Sequence, residues 1–257
     1  MPIKTAGDRY PLFCVNGEPL KMAHLLDADQ PLYGISNAYH PNFNPPPKIE
    51  QLAELYVREL QVVQPEGPYH ICGFSVGGLI AFEMARQLHT KGHAIKYLAL
   101  VDPVIPKPGY SRLDWVKESF SQKGQRLKAL KYFSIRAFQS LGSRLHTFYR
   151  MARVRIYELM GWDLPIDLRR IRDAAPIRSS HNHYMYTPME ANCVVFHPDM
   201  PDENHQSYDE FWKGIFADNI EIVMLPGLSK HLEFLADPYF TDVTNRISED
   251  MKARSAK

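Results

Sequence analysis

Six residues, Gly73-Phe74-Ser75-Val76-Gly77-Gly78, constrain the fold of this chain more than any other stretch. Before them runs Pro68-Tyr69-His70-Ile71-Cys72, short and apolar enough for a buried strand. After them runs Leu79-Ile80-Ala81-Phe82-Glu83-Met84-Ala85-Arg86-Gln87-Leu88, rich in helix formers. A strand, a one-residue turn and a helix around G-x-S-x-G form a nucleophile elbow. The turn is so tight that Ser75 must take a strained backbone conformation. Gly73 and Gly77 stand where a Cβ would strike the neighbouring chain. The helix that follows aims its N-terminal N–H groups and positive dipole end at the serine. Ser75 is therefore the candidate nucleophile, and the Val76 N–H is a candidate oxyanion donor.

An elbow of this kind needs a parallel sheet on either side of it, and the rest of the chain supplies one. Pro11-Leu12-Phe13-Cys14-Val15, Pro31-Leu32-Tyr33-Gly34-Ile35 and Tyr97-Leu98-Ala99-Leu100-Val101 are continuous apolar runs, as strands buried on both faces should be. A short helix is expected over Leu20 to Leu26. A proline-rich loop with Pro41 and Pro45-Pro46-Pro47 leads to Ile49–Val63, whose apolar residues recur on one helical face. Cys193-Val194-Val195-Phe196 and Ile220 to Leu225 read as later strands, and Phe240 to Met251 as a closing helix. The alternation of strands and helices predicts an α/β fold, a mostly parallel sheet with helices on both faces. At 257 residues the chain fits one such domain, residues 1–257.

Between about 105 and 180 the alternation stops. The stretch is basic, aromatic and without strand periodicity, and it reads as a helical insertion forming a lid. Residues 103–180 hold 16 Lys/Arg against 6 Asp/Glu, so a near-neutral chain divides into an acidic body and a basic insert. Arg150, Arg153, Arg155, Arg169, Arg170 and Arg172 form a candidate docking face for an acidic partner. The stripe carries no nucleic-acid reader motif, so no nucleic-acid partner is expected. No run of 18 or more apolar residues occurs, and Met1 to Tyr10 lacks the apolar stretch of a signal peptide. No membrane association is expected. Three dispersed cysteines, Cys14, Cys72 and Cys193, fit a reduced cytoplasmic chain rather than a disulfide framework.

A serine hydroxyl is a weak nucleophile without a base in reach and a third group to orient that base. Parallel-sheet hydrolases carry them in the order Ser, acid, His, so both partners lie after Ser75. Among eleven histidines, His231 follows the last apolar strand in the loop Pro226-Gly227-Leu228-Ser229-Lys230-His231. Loops leaving the C-terminal ends of strands are where such sheets place functional groups. His197 and His205 follow an earlier strand and rank second. The pair His181 and His183 has no carboxylate nearby, and no metal site is expected. For the acid, Asp102 ends the strand after the elbow helix, while Asp199 and Asp202 follow the Cys193–Phe196 strand. Residue types alone leave both positions open.

The segment from Pro65-Glu66-Gly67-Pro68-Tyr69 through the elbow to Ala81-Phe82-Glu83-Met84-Ala85 closely resembles the thioesterase domains that end non-ribosomal peptide and polyketide synthetases. The resemblance extends to Pro11–Val15, Pro31–Gly34, Leu98–Asp102 and Pro226-Gly227 through His231. It implies the α/β-hydrolase fold with a variable lid, Asp102 as the acid, and His231 as the base. The implied substrate is an acyl thioester on the phosphopantetheine arm of an acyl or peptidyl carrier protein. The implied reaction is hydrolysis or cyclisation through acyl-Ser75, with no metal or redox cofactor. The second oxyanion donor should come from the loop after Val15, at Gly17 or Glu18. That loop, Asn16-Gly17-Glu18-Pro19, departs from the His-Gly or Pro-containing pair usual in the family, and Pro19 has no N–H. The other classes that share these motifs are a general carboxylesterase, a Claisen-type cyclase or acyltransferase, and a carrier-binding module impaired in catalysis.

Overall fold

In a computed structural model, the described residues are 1–36, 48–105, 148–165, 168, 184–198, 205–217, 219–228 and 231–255, without the side chains of 205–207, 231–232 and 255. In chain order they form β1 (Pro2–Lys4), β2 (Leu12–Val15), α1 (Pro19–Leu25), β3 (Leu32–Ile35), α2 (Ile49–Val63), β4 (Tyr69–Phe74), α3 (Val76–Thr90) and β5 (Ile95–Val101). Then come a helix α4 at 148–159, β6 (Cys193–Pro198), α5 (His205–Phe216), β7 (Ile220–Leu225), a 3-10 turn (His231–Leu235) and α6 (Tyr239–Ser255).

The seven described strands make one sheet in the order β1-β3-β2-β4-β5-β6-β7. Six are parallel, and only β1 at the edge runs antiparallel, against β3. From β2 the chain goes out to β3 on one side and then crosses to β4 on the other. The strand order reverses between β2 and β4, and the crevice at the carboxyl ends of strands at such a switch point is where open α/β sheets place their sites. Register puts those ends on one edge. Val15 lies beside Gly73, Phe74 beside Val101, Val101 beside Phe196, and Pro198 beside Leu225.

The two-residue period of the strands divides the core. Cys14, Cys72, Phe74, Tyr97, Ala99, Val101 and Phe196 join Met22 of α1 and Phe240, Val243, Ile247 and Met251 of α6 in one cluster. On the other face α3 lies between the sheet and α2, and for that reason ten of its residues are buried. α2 turns Ile49, Leu52, Ala53, Tyr56, Val57 and Leu60 inward, the spacing of a single helical stripe. Burying each of Ile49, Leu52, Val57 and Leu60 contributes roughly 1.5–3 kcal/mol.

One carboxylate lies in that layer. Glu83 of α3 is fully buried and accepts two hydrogen bonds from Arg86 at 2.6 and 2.7 Å, one from Gln87 at 2.8 Å and one from the Tyr184 hydroxyl at 2.6 Å. Burial pushes its pKa up, but the bonds from Arg86, Tyr184 and Gln87 outweigh burial and leave it below the ordinary value. The charge is thus paid for by partners on its own helix and on the chain returning after the insertion.

The expected strands and helices stand where the sequence places them, with α3 beginning at Val76 and α1 ending at Leu25. Three elements went unanticipated: β1, the 3-10 turn and α5. In α5 the signal was present, since Tyr208, Phe211, Trp212, Ile215 and Phe216 recur at helical spacing, and Trp212, Ile215 and Phe216 are buried. Contacts divide the chain into one unit of Met1–Asn37, Phe43–Ile105 and Tyr184–Lys257, and a second of Ala38–Asn42 and Pro106–His183. Most of the expected lid falls outside the described residues. Within its own unit, the described helix α4 buries Val154 in a small cluster with Leu164 and Leu168.

His70 of β4 is buried between the rings of Tyr10 and Tyr97, and neither of its ring nitrogens has a hydrogen-bond partner. Burial, helped by the charge of Lys96, lowers its pKa to about 4. As pH falls below about 6.5 the unfolded chain takes up this proton first, so stability falls until about pH 4. The loss amounts to about 3 kcal/mol across that window and is absent above it. Chemical unfolding at pH 7.5 and pH 4 should show that His70→Phe loses less stability on acidification than the wild type by about this amount.

Candidate active site

Ser75 has φ 57° and ψ −123°, a region L-residues rarely occupy. Such a backbone costs on the order of 1–3 kcal/mol and persists only where its surroundings fix it. Its N–H donates to the Val101 carbonyl at 2.9 Å, and its carbonyl accepts from the Gly78 N–H at 2.9 Å. The turn closes because three glycines permit contact between backbones. A Cβ on Gly73 would lie 2.3 Å from the Gly77 carbonyl oxygen, and one on Gly78 3.0 Å from Pro103 Cβ. A Cβ on Gly77 would lie 2.3 Å from the Val15 carbonyl oxygen and 2.8 Å from Asn16 Cβ.

That last approach sets the loop after β2 against the first turn of α3. Asn16 and Gly17 both have positive φ, 59° and 76°. The Asn16 N–H donates to the Ile35 carbonyl at 2.8 Å and is already committed to the sheet. The carbonyl of Asn16 accepts from the Cys14 thiol at 3.1 Å. Gly17 abuts the Phe74 ring, which a Cβ would meet at 2.5 Å. Glu18 is exposed and precedes α1 without a side-chain cap, and Pro19 takes the first helical position, where no N–H is needed. Neither Gly17 nor Glu18 donates a backbone hydrogen bond to another described carbonyl, and neither does Val76 at the start of α3.

Asp102 follows β5, one strand from Ser75, half-buried and with φ 41°. Its N–H donates to the Phe196 carbonyl at 2.9 Å. Burial pushes the pKa of the Tyr208 hydroxyl up, and the nearby Asp102 carboxylate adds to the rise, so α5 brings Tyr208 into the acid's neighbourhood. His197 at the end of β6 is half-buried. Its ring packs on Tyr208 at 3.8 Å between centroids, and Nδ1–H donates to the Pro198 carbonyl at 2.6 Å.

His231 does not sit in an open loop, as the sequence suggested, but begins the 3-10 turn after β7. Gly227, with φ 79°, and the Leu228 N–H to the Leu225 carbonyl at 3.3 Å form the turn that precedes it. Its side chain lies outside the described residues, as do Asp199, Asp202, His181, His183, Arg169, Arg170, Arg172 and the side chain of His205. Ser75, Val76, Gly17, Glu18, Asp102 and the backbone of His231 all lie on chain segments leaving β2, β4, β5 and β7. Tyr208 was not singled out from sequence, and the overlooked periodicity of α5 was the signal that would have found it.

Residues 22–115 match the family model described as Thioesterase domain. The match takes in Ser75 and Asp102, begins after Gly17 and Glu18, and ends before His231. Over 112 residues, 40% of this chain, the sequence is 38% identical to malpinin synthetase of Mortierella alpina, of which that stretch is 1%. In fold it is similar to a four-domain nonribosomal peptide synthetase bound to AMP and glycine, with TM-score 0.68, 18% identity and coverage of 97% of this chain and 20% of that one. It is also similar to the NocB thioesterase domain in covalent complex with a fluorophosphonate nocardicin G analogue, with TM-score 0.63, 17% identity and 96% of each chain covered. The fold is thus that of the α/β thioesterase structures, and the likeness to the thioesterase family model is confined to residues 22–115. The chain is similar to the thioesterase domains of peptide and polyketide synthetases.

Gly77→Ala should separate the loop after β2 from the elbow, because the new methyl meets backbone atoms that cannot swing away. Labelling of Ser75 by a fluorophosphonate should slow about 10²-fold, the cost of one lost oxyanion donor, while circular dichroism stays native.

Proposed function

We propose that this domain releases an acyl, polyketide or peptidyl chain from the phosphopantetheine arm of a carrier protein through an acyl-Ser75 intermediate. The observation that carries the reading is Ser75 itself, held in a strained turn at the switch point of the sheet with the Val15–Gly17 loop against it. Ser75 Oγ attacks the thioester carbonyl carbon and passes its proton to the His231 imidazole. The carbonyl oxygen becomes an oxyanion facing the Val76 N–H and that of Gly17 or Glu18. The intermediate collapses, the C–S bond breaks, and the proton from His231 leaves with the thiol. Water, or a hydroxyl or amine of the substrate, then repeats the sequence on the acyl-serine, releasing an acid or a ring. Asp102 orients the imidazole and stabilises its cation. The chemistry asks for no metal or redox cofactor, and phosphopantetheine arrives with the substrate.

The setting proposed is the cytoplasm, where the buried thiols of Cys14, Cys72 and Cys193 stay free. Among the described residues no helix is long and apolar enough to cross a membrane. The partner proposed is an acidic carrier domain. In α4, Arg155 makes an exposed pair with Glu158 at 3.4 Å among the described residues, and Arg153 lies over the Tyr149 ring. Exposed pairs of this kind contribute little to stability, which leaves the charges available to a partner.

Intact-mass measurement after mixing with a panel of acyl-carrier thioesters should show one acyl group on the wild type and none on Ser75→Ala. A mass shift that survives in Ser75→Ala overturns the assignment of the nucleophile, and carrier binding with no label at all marks a binding module. Asp102→Asn should slow acylation by about 10²- to 10⁴-fold. Reversing Arg153 and Arg155 to Glu should weaken transfer from the carrier about tenfold and leave turnover of N-acetylcysteamine thioesters unchanged. An equal loss on both substrates excludes docking through these residues.

A further inference from the structure

Asp102 has an uncommon backbone for an acid that must aim at a histidine, and something must hold it there. Its own N–H is fixed to the Phe196 carbonyl. On its other side Pro103 is buried against Gly78, and the Val104 N–H reaches back to the Ser75 carbonyl at 3.4 Å. The Val104 carbonyl accepts one hydrogen bond from far along the chain, from the Tyr186 hydroxyl at 3.0 Å. The Tyr186 ring is boxed by Phe82 of α3 at 4.7 Å, Tyr184 at 5.4 Å, and Phe211 and Trp212 of α5 at 5.5 and 5.1 Å. Four rings, all inclined to it, leave the hydroxyl one direction.

We infer that Tyr186 is a positioning residue for the acylation step: its bond to Val104, together with the Asp102 N–H bond to Phe196, clamps the Asp102–Val104 turn and so aims the acid. The inference rests on the acyl-Ser75 reading. Tyr184, two residues earlier on the same returning segment, gives its hydroxyl to Glu83 instead. The two tyrosines therefore separate anchoring of the segment from positioning of the acid.

Tyr186→Phe keeps the ring and removes only the hydroxyl. With the turn loosened, Asp102 supports the imidazole cation less well. The fluorophosphonate labelling rate of Ser75 should then fall about tenfold, and the apparent pKa of its acid limb should move down by about 0.5 pH unit. Tyr184→Phe should lower the melting temperature yet leave rate and pH profile within twofold of the wild type. In an Asp102→Ala background, adding Tyr186→Phe should cost nothing further, because the group it positions is gone. A Tyr186→Phe variant that loses melting temperature but keeps rate and profile overturns the clamp, as do losses that multiply in the double variant. A wild type that takes no label overturns the acyl-serine reading itself, and the positioning role falls with it.

Discussion

Contact between backbones without side chains is the constraint on which this molecule is built. At Gly77 the first turn of α3 comes within van der Waals reach of the Val15 carbonyl, and at Gly73 the end of β4 does the same to Gly77. Any Cβ at either place would have to displace backbone, which cannot rotate away as a flexible side chain can. The turn between them is left with no relaxed solution, and Ser75 takes up a strained φ as a result. The strain at Ser75 and the approach of the β2 loop are thus one geometric fact. A relaxed turn would free the serine backbone and open a gap beside the N–H donors together.

The sheet makes that contact possible. Because β2 and β4 are neighbours in register, with Val15 opposite Gly73, the segments that leave them start a strand spacing apart and diverge. One continues as Asn16-Gly17 and the other reverses through Ser75 into α3. The next strand supplies the proposed acid by the same logic, since Phe74 opposite Val101 makes Ser75 and Asp102 the first residues off adjacent strand ends. Both are tied to the sheet by their own N–H groups, Ser75 to Val101 and Asp102 to Phe196. Ser75 and Asp102 each hang from the next strand along, so their order copies the order of β4 and β5.

How much of this could be read in the sequence depended on whether the controlling interaction is local. Gly73, Ser75 and Gly77 are legible because the constraint acts over five residues and few other residue types satisfy it. The apolar runs of β2, β4 and β5 are legible because strands buried on both faces tolerate nothing else. β1 has three residues and an edge position, too little for any period. α5 does carry a helical period, in Tyr208, Phe211, Trp212, Ile215 and Phe216, though it is short and follows a polar, acidic stretch. Tyr186 is of another kind. Its partner Val104 lies across the whole insertion and contributes a carbonyl, which every residue has, so no pattern of side chains announces the bond.

The loop at Asn16–Pro19 shows how structure reassigns the meaning of a sequence departure. Read as letters, Asn16-Gly17-Glu18-Pro19 departs from the expected pair and puts a residue without an N–H beside the candidate donors. In the fold, Pro19 occupies a helix position that needs no N–H, and the Glu18 side chain belongs to an exposed residue at the start of α1. Asn16 spends its N–H on β3, which removes it from consideration. The donors that remain are Gly17 and Glu18, and Gly17 is held by positive φ and by the Phe74 ring beside the nucleophile. On the proposed mechanism the departure leaves the N–H groups of Gly17 and Glu18 as the candidate donors. What holds Gly17 in place is the Phe74 ring beside it, with the Gly77 contact one residue earlier at Asn16.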